Sequence, residues 1–187
     1  LMDILGALVG LLVLLPLLPL IALGTLLDSG FPIFFTQTRL GESGREYRII
    51  KFRTMKKDAE KDGKARLAQE RDDRVTRLGR ILRRSHLDEL PQFFNVLRGE
   101  MSLIGPRPER PELVEELQKQ IPFYRARLFV KPGLTGWAQI NFRYASSVED
   151  TAVKLEYDLY YIKHRNLMLD ISILLRTVGQ AVGLKGL

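Results

Sequence analysis

Residues 4–27 (ILGALVGLLVLLPLLPLIALGTLL) carry no charge over 24 positions and lie between Asp3 and Asp28. A hydrocarbon core of about 30 Å takes about 20 residues to cross, so this length marks a candidate membrane helix. Pro16 and Pro19 divide it. Each proline removes a ladder hydrogen bond and clashes with the preceding turn, which predicts a kink or a break. Two halves of about 12 residues would each rise about 18 Å. That is too short to span, but it suits a hairpin that enters and leaves by one face. On the residues alone a kinked spanning helix, a re-entrant hairpin and the core helix of a soluble protein all stay open. A cleaved signal peptide fits poorly, because no basic region precedes the segment and no small-residue cleavage pattern follows.

Charge separates the rest of the chain. The net charge of +7 is placed unevenly: residues 45–84 hold 15 basic and 7 acidic side chains, and the remainder is close to neutral. Such a field suits polyanions, whether nucleotide phosphates, anionic lipid headgroups or nucleic acid. With no cysteine there is no disulfide or thiolate metal site, and His86 and His164 alone do not make a zinc site. Leu1 stands where a start methionine would, so the chain reads as part of a longer protein.

Directly after the basic region comes LDELPQFFNVLRGEMSLIGPRP, residues 87–108. Pro91 fits a helix only in its first turn, which puts Asp88 and Glu89 at the amino end, where free N–H groups favour anions. One acid there is explained by capping. Two acids, followed by the stiff Pro106, Arg107 and Pro108, read as a reaction centre with an arginine presented for phosphate recognition.

The remaining elements follow from periodicity and caps. Two β-leaning stretches around Gly41–Gly44 predict a hairpin, with Lys51 and Arg53 on one strand face and able to point at one anion. Residues 56–73 read as an exposed helix or mobile loop. Val75, Leu78, Ile81 and Leu82 then predict a basic amphipathic helix whose Arg83 and Arg84 bring charge close to Asp88. Pro111 opens a helix to Ile121, and Ser147 with Asp150 has capping-box spacing for a helix to about His164. The glycine-rich stretch from Lys131 lets a ligand approach, with Asn141 and Arg143 as candidate contacts, and Asp158 stands out as an acid among tyrosines. Residues 166–184 carry an apolar stripe of Leu167, Ile171, Leu174, Val178 and Val182, which suits either a packed helix or one in the membrane interface.

KFRTM at residues 51–55, the run at 87–108, PGLTGWAQIN at 132–141 and YDLYYIKH at 157–164 together resemble the bacterial sugar transferase family of monotopic phosphoglycosyl transferases. The resemblance implies an α+β fold, mostly helical with a small β-hairpin. Residues 1–28 would be a Pro-broken re-entrant membrane hairpin, and residues 29–187 a catalytic domain at the membrane surface with interfacial amphipathic helices. It implies transfer of a sugar 1-phosphate from a UDP-sugar to undecaprenyl phosphate with release of UMP, as the first membrane step of surface glycan synthesis. Asp88 would be the nucleophile, forming a phosphosugar-aspartyl intermediate, and Glu89 would help it hold Mg²⁺. Lys51, Arg53, Arg83, Arg107 and Arg143 would bind the diphosphate, with Pro106 and Pro108 shaping the nucleotide pocket; Asn141 and Asp158 complete the substrate-binding set. The implied location is the cytoplasmic face of the bacterial inner membrane. The implied partners are the two substrates and membrane lipid, without nucleic acid, and homo-oligomer formation stays open. Two other readings compete: a membrane-tethered basic module for nucleic acid, which leaves Asp88 and Glu89 idle, and a membrane scaffold in which these acids only cap a helix.

Overall fold

The computed structural model describes residues 1–57, 59, 73–142, 147–181 and 183. Helix α1 (Met2–Ser29) leads into an antiparallel hairpin of β1 (Phe34–Leu40) and β2 (Glu46–Phe52). Next come α2 (Arg77–Arg84), a 3-10 turn (Leu87–Gln92) running into α3 (Phe93–Leu97), and β3 (Ser102–Ile104). Helix α4 (Pro111–Gln120), a 3-10 turn (Tyr124–Phe129), β4 (Gly133–Thr135), α5 (Trp137–Asn141), α6 (Val148–His164) and α7 (Leu167–Ala181) complete the order. This is the mostly helical α+β class with a small hairpin. Of the charged segment expected between residues 56 and 73, residues 58 and 60–72 lie outside the described residues.

Local chemistry accounts for several boundaries. The hairpin turns through Ser43 and Gly44, whose φ values of 57° and 75° reverse the chain between Leu40 and Glu46. Pro111 occupies the start of α4, and Ser147 and Asp150 exchange the two bonds of a capping box at α6. Strands β3 and β4 form a short parallel pair, Ser102 with Gly133 and Ile104 with Thr135. Glycine is required at 133, since a Cβ would run into the backbone of Gly105.

Helix α1 runs unbroken through Pro16 and Pro19, so the two separate halves expected from the prolines do not form. Both prolines are on the exposed side, while Ala7, Gly10, Leu14, Ile21 and Thr25 form one buried stripe. Leu11, Leu14, Leu17, Leu18 and Ile21 pack with Phe52, Leu82, Leu87 and Leu90 on either side of the prolines. Buried side chains such as Leu14 and Ile21 each contribute about 1.5–3 kcal/mol, which offsets two missing N–H donors. Both ends are tied to the same body. Asp3 Oδ1 accepts from Ser102 Oγ at 2.8 Å and Leu103 N at 2.9 Å, and Asp28 Oδ2 accepts from Leu78 N at 3.0 Å. The outward face, including Leu5, Leu8, Leu12, Leu15, Leu20 and Leu27, is apolar and exposed. Among the described helices, α1 alone is long and apolar enough to cross a membrane.

The apolar stripe on α7, for which packing and a membrane interface both stayed open, is only partly buried. Ile173 is fully buried and Leu169 and Leu174 pack on the core, but Ile171 and Val178 face outward with Met168 and Leu175. The helix is apolar on both faces, so hydropathy did not select the one that packs.

Asn95 joins α3 to the hairpin. Its Nδ2 donates to Arg48 O at 2.8 Å and its Oδ1 accepts from Ile50 N at 3.1 Å, so the carboxamide pairs with β2 as a further strand would. Asn95 is wholly buried, and replacing it with alanine strands both backbone groups. Asn95→Ala should therefore lower unfolding stability by about 2–6 kcal/mol, at about 1–3 kcal/mol for each of the two unpaired groups. Denaturant titration of the membrane-reconstituted protein checks this.

Candidate active site

The turn Leu87–Gln92 carries Asp88 and Glu89, and its apolar residues explain its position. Leu87 and Leu90 pack into the cluster that α1 and α2 share with Phe52, which seats the turn between α1 and β2. His86, at φ 56°, reverses the chain out of α2 into this turn. Pro91 therefore lies in a 3-10 turn ahead of α3, rather than in the first turn of one helix.

Glu89 gathers two cations from elsewhere in the chain. Its Oε1 accepts from Lys51 Nζ at 2.7 Å and from Arg107 Nη2 at 2.6 Å. Lys51 comes from the end of β2 and Arg107 from the loop after β3. Burial alone would push the Glu89 carboxyl up, but Arg107 and Lys51 override it and hold it well below the usual carboxylate range. Arg107 is raised in turn, chiefly by Glu89.

Asp88 behaves differently. It is 8% exposed and accepts no hydrogen bond among the described residues. Burial and the adjacent Glu89 raise its carboxyl, while Lys51, Arg83 and Arg107 pull it down without cancelling the rise. Arg83 is oriented by its Nε, which donates to Thr54 Oγ1 at 2.9 Å. A buried carboxylate with cations nearby and no hydrogen bond holding its lone pairs is suited to attack an electrophile.

The structure thus brings together Asp88, Glu89, Lys51, Arg83 and Arg107, with Pro106 and Pro108 buried on either side of the arginine. It sends other candidates elsewhere. Arg53 donates from Nη2 to Ser29 O at 2.7 Å and also reaches Gly30 O, tying β2 to the end of α1. The strand ends at Phe52, so Lys51 and Arg53 do not share the strand face that alternation predicted. Asn141 is exposed and donates to Trp137 O at 2.8 Å within α5. Asp158 pairs with Arg127 at 2.9 Å, with both side chains 3% exposed. Arg143 lies outside the described residues. Sequence reasoning gave no role to Thr54, Asn95 or Arg127. Only Asn95 left a signal, as a polar residue inside the apolar run of α3.

Among the described residues no three His, Cys, Asp or Glu side chains converge as metal ligands. The adjacent pair still fits Mg²⁺, which commonly takes one or two carboxylates and completes its shell with phosphate oxygens and water. Asp88 and the Glu89 oxygen not engaged by Lys51 and Arg107 are available for that role.

Residues 1–183 match the family profile described as bacterial sugar transferase. The chain is 47% identical over 177 residues to the UDP-N-acetylgalactosamine-undecaprenyl-phosphate N-acetylgalactosaminephosphotransferase of Aeromonas hydrophila, covering 95% of this chain and 42% of that protein. It is 43% identical over 187 residues to the UDP-glucose:undecaprenyl-phosphate glucose-1-phosphate transferase of Xanthomonas campestris pv. campestris, covering 99% and 39%. The Escherichia coli (strain K12) protein of the same name is 44% identical over 178 residues, covering 94% and 38%. This chain spans about two fifths of the length of these relatives. The chain, with its two adjacent acids among cations on a body that carries a long apolar helix, belongs to the bacterial sugar transferase family.

Proposed function

We propose that this chain is the catalytic part of a phosphoglycosyl transferase that moves a sugar 1-phosphate from a UDP-sugar to undecaprenyl phosphate and releases UMP. The Asp88 carboxylate carries this reading: it is buried without a hydrogen bond, while Glu89 beside it is committed to Lys51 and Arg107. The relatives' names support the substrate classes. They divide between glucose and N-acetylgalactosamine, so the sugar is left as a class.

In the first step an Asp88 oxygen bonds to the phosphorus that bears the sugar. The bond from that phosphorus to the bridging oxygen breaks, and UMP leaves with the electron pair. In the second step a phosphate oxygen of the lipid carrier attacks the same phosphorus, and the Asp88 carboxylate is released unchanged. Lys51, Arg83 and Arg107 offset charge on the diphosphate, which lets a carboxylate approach an anionic phosphorus. Mg²⁺ bound by Asp88 and Glu89 would add charge neutralisation on the same oxygens.

Residues 1–28 form the membrane anchor in this reading, and residues 29–187 the catalytic body at the surface. Because Asp3 and Asp28 are both tied to that body, both ends of α1 stay on one face of the bilayer, with its exposed apolar side in lipid. The outward apolar row of α7 lies against the interface, and the basic excess sets the body on the cytoplasmic side of the bacterial inner membrane. The active site then stands where a lipid-borne phosphate is found.

A UMP-release assay with undecaprenyl phosphate, Mg²⁺ and a panel that includes UDP-glucose and UDP-N-acetylgalactosamine should give turnover with at least one donor. Asp88→Asn should lower it by about a thousandfold or more; retained turnover would remove Asp88 as nucleophile. Chelation with EDTA should stop release and added Mg²⁺ restore it. Single cysteines at Asp3 and Asp28 should both react with a membrane-impermeant thiol reagent from the same side, and labelling from opposite sides would exclude a re-entrant α1.

A further inference from the structure

Residues 106–109 are short of donors, because Pro106 and Pro108 have no N–H, and yet all four carbonyls are satisfied. Gly133 N donates to Pro106 O at 2.9 Å and Leu40 N to Glu109 O at 3.0 Å. The two carbonyls between them are taken by arginine side chains. Arg127 Nη2 donates to Arg107 O at 2.8 Å, and Arg39 Nη1 to Pro108 O at 3.1 Å. Arg127 is itself fixed. Its Nη1 donates to Tyr124 Oη at 2.9 Å, and its Nη2 lies 2.9 Å from Asp158 Oδ2.

A buried ion pair is a weak device for stability, since desolvation offsets most of the attraction, and well-packed apolar residues often serve as well. The fork geometry offers a better reason for this one. A guanidinium can hold Asp158 and Tyr124 while it donates to the Arg107 carbonyl, which the point charge of a lysine cannot reproduce. We propose that Arg127, oriented by Asp158, is a positioning residue: it fixes Arg107 through its backbone carbonyl and so sets where the Arg107 guanidinium meets Glu89 and the donor diphosphate. The inference rests on the functional reading above. It gives Asp158 a role at a distance from the substrate in place of direct contact.

The test is a double-mutant cycle read by calorimetric binding of UDP with Mg²⁺ to the full chain. Arg127→Lys and Asp158→Asn are each measured in the parent and in an Arg107→Ala background. In the parent each should weaken UDP binding about tenfold, as expected when a phosphate-binding group is misplaced. In the Arg107→Ala background each should change it by less than about twofold. Equal weakening in both backgrounds, or none in the parent, overturns the proposal. Should Arg127→Lys fail to fold, Asp158→Asn, which keeps side-chain shape, carries the cycle alone. If the parent neither binds UDP nor releases UMP, the functional reading has failed instead. Positioning is then judged on the structure of Asp158→Asn: Arg107 leaving Glu89 supports it, and Arg107 kept at 2.6 Å overturns it.

Discussion

The shared carboxylate of Glu89 organises this molecule. Lys51 and Arg107 come from separate parts of the chain and both end on one oxygen, Oε1. Neither cation could be held this close to the other without the acid between them, and the acid would resist ionisation without the cations. The consequence is electrostatic asymmetry in a pair that the sequence writes as neighbours. Glu89 Oε1 is committed to the two cations, and Asp88 is left with charge nearby but no hydrogen bond. Lys51, Arg83 and Arg107 against two acids leave the cluster net positive, which is the condition for receiving a diphosphate.

The same turn couples chemistry to the apolar helix. Leu87 and Leu90 pack in one cluster with Leu14, Leu17, Leu18 and Ile21 of α1, so Asp88 is seated on the helix rather than reached from it through a linker. Arg53 closes the other end of this contact, binding the last turn of α1 to the strand that supplies Lys51. A change in how α1 lies would therefore move Asp88 and Glu89 with it.

How much of this was legible depended on whether the deciding interaction was local. The hairpin, the start of α4 and the capped α6 were readable because Ser43 and Gly44, Pro111, and Ser147 with Asp150 act within a few residues of themselves. The continuity of α1 was not readable: the penalty of Pro16 and Pro19 is local, but the burial that outweighs it comes from Phe52, Leu82 and Leu90 far along the chain. Lys51 and Arg53 diverge because β2 ends between them, a boundary set by pairing with Phe34. The β3–β4 pair depends on backbone contact between Gly105 and Gly133, which leaves no hydrophobic pattern. At the site the acids and the Pro-Arg-Pro turn were visible as residue types. Which of the two acids is clamped by Lys51 and Arg107 needed three-dimensional partners.

An unbonded buried carboxylate is costly, and its persistence has to be explained by what surrounds it. The backbone at Asp88 is held because the residues on both sides of it are anchored. Leu87 and Leu90 are packed, Glu89 is clamped by two cations, and His86 takes a left-handed conformation to deliver the chain into the turn. Each of these is satisfied only with the turn where it is, so the backbone of Asp88 is determined by its neighbours and the cost of its side chain is borne by their contacts. Lys51, Arg83 and Arg107 lower that cost electrostatically without supplying a hydrogen bond that would have to break before the carboxylate could react. The arrangement leaves the Asp88 carboxyl next to three cations with no hydrogen bond of its own among the described residues.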